Sequence, residues 1–328
     1  MIRHSVKSCP TGERTAATMR RAWLATLLTA ALLGSAADVA AQGARPAPAP
    51  AGRGYLFIVG GGPQPPALVQ RFVDLAGGAG KARIVVFAMA SSSGLESGEE
   101  KAQDLRALGA HAVNVFVNRE QADTDSIARL LDGATGVWFG GGDQVLLARA
   151  LQGTKTEAAI HARYRAGAVI GGTSAGAAVM STPMITGDER HLGGDRPPRD
   201  SSNAFMTIAR ENIVTSAGFA LLDSTIVDQH FVRRSRHNRL ISLVLEHPAY
   251  VGVGIDESTA LLVHPDGRWS VLGASVAIIY DARRSAITGA DGRVLGASNM
   301  VMHVLPAGST YDPRRGTATV PGAKARSR

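Results

Sequence analysis

The stretch AVIGGTSAGAAVM, residues 168–180, places a serine among glycines directly after an apolar run. Ala168–Ile170 is typical of the end of a buried strand, and Ala175–Met180 of the start of a helix rich in small residues. Between them, Gly172–Gly176 matches the G-x-S-x-G nucleophile elbow, in which a sharp turn exposes the serine oxygen. A turn that binds a phosphate, or one that only packs, fits this short pattern too. The stretch therefore predicts a strand–turn–helix unit with Ser174 as the candidate nucleophile.

Apolar runs alternate with helical patterns on both sides of this unit. The predicted strands are Tyr55–Val59, Ile84–Ala88, Ala112–Val117, Gly136–Phe139 and Ala168–Ile170, and the predicted helices are Pro66–Leu75, Gly98–Leu108, Gln121–Leu131 and Thr156–Arg165. This order predicts an α/β fold with a parallel sheet and right-handed crossovers. Later and shorter apolar runs predict additional strands, partly antiparallel, at one edge: Val251–Ile255, Ala260–Val263, Trp269–Val271, Val276–Tyr280 and Val301–Val304.

The beginning of the 328-residue chain has the composition of a secretory signal. Arg20 and Arg21 precede the apolar run Trp23–Leu33, and small residues follow as far as Ala41. This order predicts a signal peptide over residues 1–41 and a secreted or periplasmic mature protein. The apolar run is too short to span a membrane, so no membrane partner is expected once the signal is removed.

Composition divides the rest of the chain into a Pro/Ala-rich linker at 42–54, one α/β domain at 55–311 and a basic tail at 312–328 that we expect to be disordered. The formal net charge is +8, of which residues 1–41 contribute +3 and the tail +4. The domain itself is therefore nearly neutral. This distribution argues against a nucleic-acid partner.

Cysteine and metal-ligand patterns exclude several kinds of chemistry. The only cysteine, Cys9, lies in the predicted signal, so the mature chain is expected to have neither disulfides nor a reactive thiol. No cluster of His, Asp or Glu in the sequence has the spacing of metal ligands. We therefore predict no metal and no organic cofactor. The oligomeric state, with a homodimer among the alternatives, is left open.

Glycine-rich segments follow two of the predicted strands, and ligands gather at the carboxyl ends of strands in open parallel sheets. Gly60–Gly62 is interpreted as a tight turn or a loose loop, because the G-x-G-x-x-G dinucleotide pattern is absent there. Gly140–Gln144 precedes the serine strand, where bare backbone can approach Ser174 closely. The predicted oxyanion hole combines the N–H groups of Gly142 and Ala175.

A nucleophilic serine needs a base, normally a histidine that a carboxylate holds in place. Among the nine histidines, His230 stands out because its segment, Asp228–Phe231, directly follows the apolar run Ser224–Val227 and precedes the arginine-rich segment 232–239. A histidine at the end of a strand is more often structural, and a run of arginines is more often a solvated face. On spacing alone, both alternatives stay open.

A candidate carboxylate lies in GIDESTA, residues 254–260, where Asp256 and Glu257 end one apolar strand and precede another. A buried acid needs a partner, and the ring N–H of a histidine would serve. A turn, or an ion pair with one of the arginines, fits the same pattern. The chain order Ser, His, Glu differs from the usual α/β-hydrolase order and argues against an ordinary lipase or esterase.

Four segments together, GGTSAGA, VWFGGGDQ, VDQHFVRRSRHNRL and GIDESTA, resemble the cyanophycinase branch of the serine peptidase family that also contains dipeptidase E. The resemblance covers roughly residues 54–280. It implies a flavodoxin-like, doubly wound core related to class I glutamine amidotransferases, with a serine in place of their cysteine. It further implies that Ser174 is the nucleophile, His230 the base and Glu257 the orienting acid. The substrate-binding positions implied by it are Gln144, Asp228, Gln229, Arg234, Arg236 and Arg239.

The activity that this resemblance implies is the release of β-aspartyl-arginine dipeptides from cyanophycin, a poly-aspartate backbone with arginine attached to each side chain. Guanidinium forks suit substrate carboxylates, and Asp228 suits a substrate guanidinium. An exported aspartyl or isoaspartyl dipeptidase of the same family is the alternative that prefers short β-aspartyl peptides. A non-catalytic peptide-binding protein is a further alternative, against which the presence of all three catalytic residue types argues. The polar loop at 181–203 does not align and is interpreted as a lid or a variable insertion.

Overall fold

The computed structural model of the chain describes residues 53–190, 207–289 and 292–323. The predicted signal peptide and all but the last two residues of the predicted linker lie outside the described residues. The same holds for residues 191–203 of the polar loop, for the following residues 204–206, and for residues 324–328 of the tail. Within the described ranges, no helix is long and apolar enough to cross a lipid bilayer.

The described ranges contain seventeen strands and eight α-helices. The strands are β1 (Leu56–Val59), β2 (Arg83–Phe87), β3 (His111–Val115), β4 (Gly136–Phe139), β5 (Val169–Thr173), β6 (Met184–Glu189), β7 (Ile213–Ser216), β8 (Thr225–Gln229), β9 (Val251–Ile255), β10 (Thr259–Val263), β11 (Trp269–Gly273), β12 (Val276–Asp281), β13 (Ala286–Ile287), β14 (Ala297–Ser298), β15 (Val301–Pro306), β16 (Thr310–Asp312) and β17 (Thr317–Thr319). The helices are α1 (Pro66–Leu75), α2 (Gly94–Ala107), α3 (Arg119–Ala122), α4 (Asp125–Ala128), α5 (Gln144–Leu151), α6 (Lys155–Arg165), α7 (Ala175–Ala178) and α8 (His237–Glu246).

Nine strands form the central sheet, in the order β17-β16-β11-β10-β1-β5-β4-β2-β3. The five strands from β1 to β3 in this order are parallel, and the other four extend the sheet antiparallel beyond β1. Side chains of α1 and α2 pack with one face of the sheet, and those of α5, α6 and α7 with the other. Because both faces are covered, the parallel strands are continuous apolar runs rather than alternating ones. The predicted doubly wound α/β fold with additional C-terminal strands is confirmed.

A second sheet, of four strands in the order β15-β12-β9-β8, packs on the core of the first. Its β8 and β9 are parallel, whereas β12 is antiparallel to both β9 and β15. Helix α8 covers the outer face of this sheet through Leu240, Leu243 and Val244. The sequence predicts that the C-terminal strands lie at one edge of the sheet. In the structure they are divided between the central sheet and the second sheet. Of the strands in the described residues, β10, β11, β16 and β17 extend the central sheet beyond its parallel part.

The helix predicted at Gln121–Leu131 is interrupted. Asn118 caps α3 through a capping box, and the side chain of Thr124 accepts the N–H of Ile127 to begin a new helix, α4. A 3-10 turn follows at Arg129–Leu131. Two successive cap residues thus divide what the apolar spacing suggested to be continuous.

Two segments that we expected to be irregular contain strands. In the polar loop predicted at 181–203, β6 pairs antiparallel with β7. Where the predicted domain meets the tail, β16 and β17 form a hairpin on the edge of the central sheet, and Tyr311 is buried against Trp269. The structure differs from the expected disordered tail at residues 312–319, where β17 pairs with β16 at the edge of the central sheet.

Candidate active site

Ser174 lies on a sharp turn between β5 and α7, with φ 54° and ψ −113°. This conformation is rare for a residue with a side chain and costs about 1–3 kcal/mol. A Cβ built on Gly172 would overlap the carbonyl of Gly176, and one built on Gly176 would overlap that of Phe139. The N–H of Ser174 donates to Val59 O at 3.0 Å, which ties the turn to β1. The glycines of the elbow therefore provide the space that the serine turn needs.

His230 follows β8 and is nearly buried, with 7% of its surface exposed. Its backbone has φ 47°, and its N–H donates to Gly60 O at 2.7 Å. The ring nitrogen Nε2 lies 2.9 Å from the hydroxyl oxygen of Ser174. Two turns at the carboxyl ends of β5 and β8 thus bring the serine and the histidine into hydrogen-bond contact across 56 residues of sequence.

Glu257 lies on the opposite side of the imidazole, with its Oε1 2.6 Å from Nδ1 of His230. This contact makes Nδ1 the donor and leaves Nε2 free to accept the proton of the Ser174 hydroxyl. The neighbouring Asp256 faces away from the ring and accepts the N–H groups of Val232 and Arg233. The residue pattern alone leaves open which of the two acids binds the histidine, whereas the family resemblance implies Glu257; in the structure, Glu257 contacts the ring.

Burial lowers the pKa of His230 below its ordinary value of 6.5, because the charged imidazolium loses hydration. The hydrogen bond to Glu257 opposes this shift, and the positive charges of Arg234 and Arg236 reinforce it. The imidazole is therefore neutral at pH 7. A neutral ring is the form that accepts a proton from a serine.

Backbone N–H groups next to Ser174 are available to an anion. Among the described residues, the N–H groups of Gly141, Gly142 and Ala175 have no hydrogen-bond acceptor. A Cβ built on Gly141 would lie 3.5 Å from the Cβ of Ser174, so this backbone passes close to the serine. The predicted pair of Gly142 and Ala175 lies where bare N–H groups are present, and Gly141 is a third donor that the sequence did not single out.

The loop Gly60–Gly62 also borders the candidate site, although the sequence suggested only a turn. Gly61 has φ 109°, and a Cβ built on it would overlap the ring of His230. A Cβ on Gly62 would lie 2.8 Å from the Cβ of Glu257. The sequence feature that could have predicted this position is the run of three glycines at the carboxyl end of β1, which is next to β5 in the sheet.

Asp228 and Arg239 lie inside the protein rather than in the open cleft. The Nε of Arg239 donates to Asp228 Oδ2 at 2.7 Å, and its Nη2 donates to Oδ1. Both residues are 1% exposed. The resemblance implies that these two side chains bind substrate, but in the structure they bind each other, because each compensates the other's charge inside the protein. The pair joins the end of β8 to α8.

The remaining predicted substrate-binding residues divide by exposure. Arg234 is exposed, whereas Arg236 is partly buried and donates through Nη1 to Gln229 O at 2.8 Å and to Gln229 Oε1 at 2.7 Å. Burial and the neighbouring Arg239 lower the pKa of Arg236 to about 9, which leaves it protonated at pH 7. Gln144 is buried, and its Nε2 donates to the carbonyls of Ile185 and Thr186 in β6.

Comparisons with known proteins agree with the sequence motifs. The model of Peptidase family S51 matches residues 56–269. A cyanophycinase of Trichormus variabilis is 34% identical over 242 residues, which cover 71% of this chain and 76% of that protein. A cyanophycinase of Geminocystis herdmanii is 31% identical over 271 residues, covering 79% of this chain and 94% of that protein.

Among solved structures, a peptidase from an acI-B1 Actinobacterium is similar, with a TM-score of 0.55, 25% identity, and coverage of 70% of this chain and 91% of that chain. The predicted resemblance is thus confirmed by sequence and by fold. The chain belongs to peptidase family S51 and is a serine-type peptidase of the cyanophycinase-like kind.

Proposed function

We propose that this chain is an exported hydrolase that cleaves cyanophycin to β-aspartyl-arginine dipeptides through Ser174, His230 and Glu257. The observation that carries the proposal is the pair of contacts at His230. Its Nε2 lies 2.9 Å from the Ser174 oxygen, and its Nδ1 lies 2.6 Å from Glu257. This is the arrangement of nucleophile, base and orienting acid that acyl transfer by serine requires.

In the proposed mechanism, Ser174 Oγ attacks the carbonyl carbon of the scissile amide while His230 Nε2 accepts the hydroxyl proton. Glu257 stabilises the imidazolium that forms. His230 then gives the proton to the leaving amine, the C–N bond breaks, and an ester on Ser174 remains. A water that is deprotonated by His230 attacks the ester, and the carboxylic acid leaves with Ser174 restored.

The oxyanion of each tetrahedral intermediate is expected to bind the N–H of Ala175 together with that of Gly142 or Gly141. Their lack of acceptors among the described residues supports this role, because pre-oriented donors need no reorganisation when charge develops. The tight backbone around Ser174 fixes the direction of these donors.

Recognition of an anionic group is supported by the charge balance beside His230. The carboxylate of Asp228 lies against two guanidinium groups of the described residues, those of Arg239 and, at 3.8 Å, Arg236. Because Arg239 binds both oxygens of Asp228, Arg236 is left with the neutral acceptors of Gln229. We propose that Arg236 and the exposed Arg234 bind carboxylates of the substrate. A role of Asp228 toward a substrate guanidinium has less support, since its oxygens are occupied.

Export is supported by the sequence of residues 1–41, with Arg20, Arg21 and the apolar run before Ala41. The names of the two curated relatives support cyanophycin as the substrate. The alternative of a dipeptidase for short β-aspartyl peptides differs from this proposal in substrate length rather than in chemistry.

The test is to incubate the purified mature protein with insoluble cyanophycin and identify soluble products by mass, with Ser174→Ala as the inactive control. Release of β-Asp-Arg by the native enzyme alone supports the proposal. Cleavage of short β-aspartyl peptides without any release from the polymer would favour the dipeptidase. Activity that EDTA abolishes and zinc restores would contradict the cofactor-free mechanism.

A further inference from the structure

A second carboxylate beside the proposed triad binds the turn that carries His230. Oδ1 of Asp256 accepts the backbone N–H of Val232 at 3.1 Å and of Arg233 at 2.9 Å, and Oδ2 accepts the Ser275 hydroxyl at 2.8 Å. Burial by itself raises the pKa of an acid, but the hydrogen bonds from Arg233 and Ser275 outweigh it and hold the pKa of Asp256 below its usual value. The group is therefore an ionised, fully engaged acceptor.

Asp256 and Glu257 contact the same turn from two directions. Both acids lie in the turn between β9 and β10, where Glu257 reaches the ring of His230 and Asp256 reaches the backbone that follows it. His230 has φ 47°, in the left-handed region that a histidine rarely adopts. Its carbonyl accepts the N–H of Arg234 at 2.9 Å, which closes the turn. The Asp256 carboxylate is thus bound to two of the three residues inside this turn.

We infer that Asp256 is a positioning residue for the general base: by binding the N–H groups of Val232 and Arg233, it keeps the His230 ring between Ser174 and Glu257. This inference rests on the proposed role of His230. Removal of the carboxylate leaves the turn free to shift, and a displacement of about 1 Å at a catalytic group costs on the order of a hundredfold in rate. On a neutral β-aspartyl amide, whose binding does not depend on Arg234, the loss falls on kcat rather than KM, because Asp256 contacts backbone and Ser275 and no group proposed to bind substrate.

The experiment compares Asp256→Ala with Asp256→Asn. Asparagine keeps an oxygen for the two N–H groups and offers an N–H to Ser275, so it is expected to stay within about threefold of the native kcat. Asp256→Ala is expected to lose about a hundredfold in kcat with KM nearly unchanged. The matched control is Asp266→Ala. Asp266 also accepts a backbone N–H, that of Arg268, but it lies after the end of β10 that is remote from His230.

A second readout separates this inference from the proposed function. A fluorophosphonate probe labels an activated serine without needing the natural substrate, and its rate on Asp256→Ala should fall in parallel with kcat. If the native enzyme is labelled at Ser174 and a folded Asp256→Ala variant is labelled as fast, the positioning role is wrong while the triad stands. If the native enzyme itself is not labelled, the proposed triad fails.

Should Asp256→Ala not fold, Ser275→Ala tests the same contact more gently. It removes one hydrogen bond from Oδ2, and we expect labelling to slow by about fivefold. Two outcomes would overturn the inference. One is labelling of Ser275→Ala at the native rate, and the other is a loss of about a hundredfold in Asp256→Asn. Either would show that activity does not depend on the hydrogen bonds that the Asp256 side chain accepts.

Discussion

The guanidinium of Arg239 binds both carboxylate oxygens of Asp228 inside the protein. Asp228 lies two residues before His230 in the chain. The pair fixes α8 to the end of β8, from which the histidine turn departs. The resemblance implies that Arg239 binds substrate, whereas in the structure Arg239 holds the strand end from which the turn of His230 begins.

Arg239→Ala should therefore destabilise the fold more than it alters specificity. It leaves Asp228 buried without its bidentate partner, and such a loss costs about 3–5 kcal/mol. Thermal unfolding of the variant checks this, with Asp228→Asn/Arg239→Gln as the matched neutral pair that should recover part of the loss. A stable Arg239→Ala protein with selectively weaker polymer cleavage would return this residue to the substrate.

Arg236→Ala should act on the substrate instead. Each charge-assisted hydrogen bond is worth roughly 1.5–3 kcal/mol, so kcat/KM on cyanophycin should fall by about ten- to a hundredfold. A neutral β-aspartyl amide, assayed beside the polymer, should be affected much less. Equal losses on both substrates would place Arg236 in the catalytic support, and no loss on either would exclude a role in recognition.

The acid limb of the pH–rate profile should lie below pH 6.5, because the pKa of His230 is lowered chiefly by burial. A nearby cation disfavours the imidazolium, so Arg234→Ala should raise this pKa and move the limb to higher pH. Arg233→Ala, an exposed neighbour outside the set of charges that shift His230, is the control and should leave the limb in place. The measurement is kcat/KM between about pH 4.5 and 8.5, a range that spans roughly two units on either side of the pKa of an unperturbed histidine.

Ser174→Ala should lower turnover by several orders of magnitude with the fold intact, since the covalent step is lost. Ser126→Ala, at an exposed serine of α4, is the control and should behave like the native enzyme. Circular dichroism verifies folding of both variants. Comparable activity in a folded Ser174→Ala protein would rule out the proposed nucleophile.

The mature protein should begin at or near Gln42 when the full chain is expressed in a bacterium with secretion machinery. N-terminal sequencing of the periplasmic or secreted fraction gives the answer directly. An intact leader on a cytoplasmic protein would contradict export.

The parallel half of the central sheet could be predicted because its strands are continuous apolar runs separated by helices. Bounds agree fully for Gly136–Phe139 and Pro66–Leu75, where glycine and proline mark the ends. The second sheet could not be predicted in the same way. Apolar spacing identifies Val251–Ile255 as a strand but carries no information on its partners, which turned out to be β8 and β12.

For the candidate site, sequence motifs selected the residues, and only the structure gave their contacts. Glu257 and its neighbour Asp256 are equivalent in the sequence, and the direction of each side chain distinguishes them. In the same way, the arginine-rich segment 232–239 does not reveal which guanidinium is buried. That depends on the start of α8, which turns Arg239 inward toward Asp228.

The close approach of Gly61 to His230 and of Gly62 to Glu257 limits which substitutions this gene can tolerate. Every single-nucleotide missense change of a glycine codon adds a Cβ, and at these two positions that atom would meet the His230 ring or Glu257 while the backbone stays at positive φ. In a saturation library selected for growth on cyanophycin as the nitrogen source, both codons should be nearly as depleted of substitutions as that of Ser174.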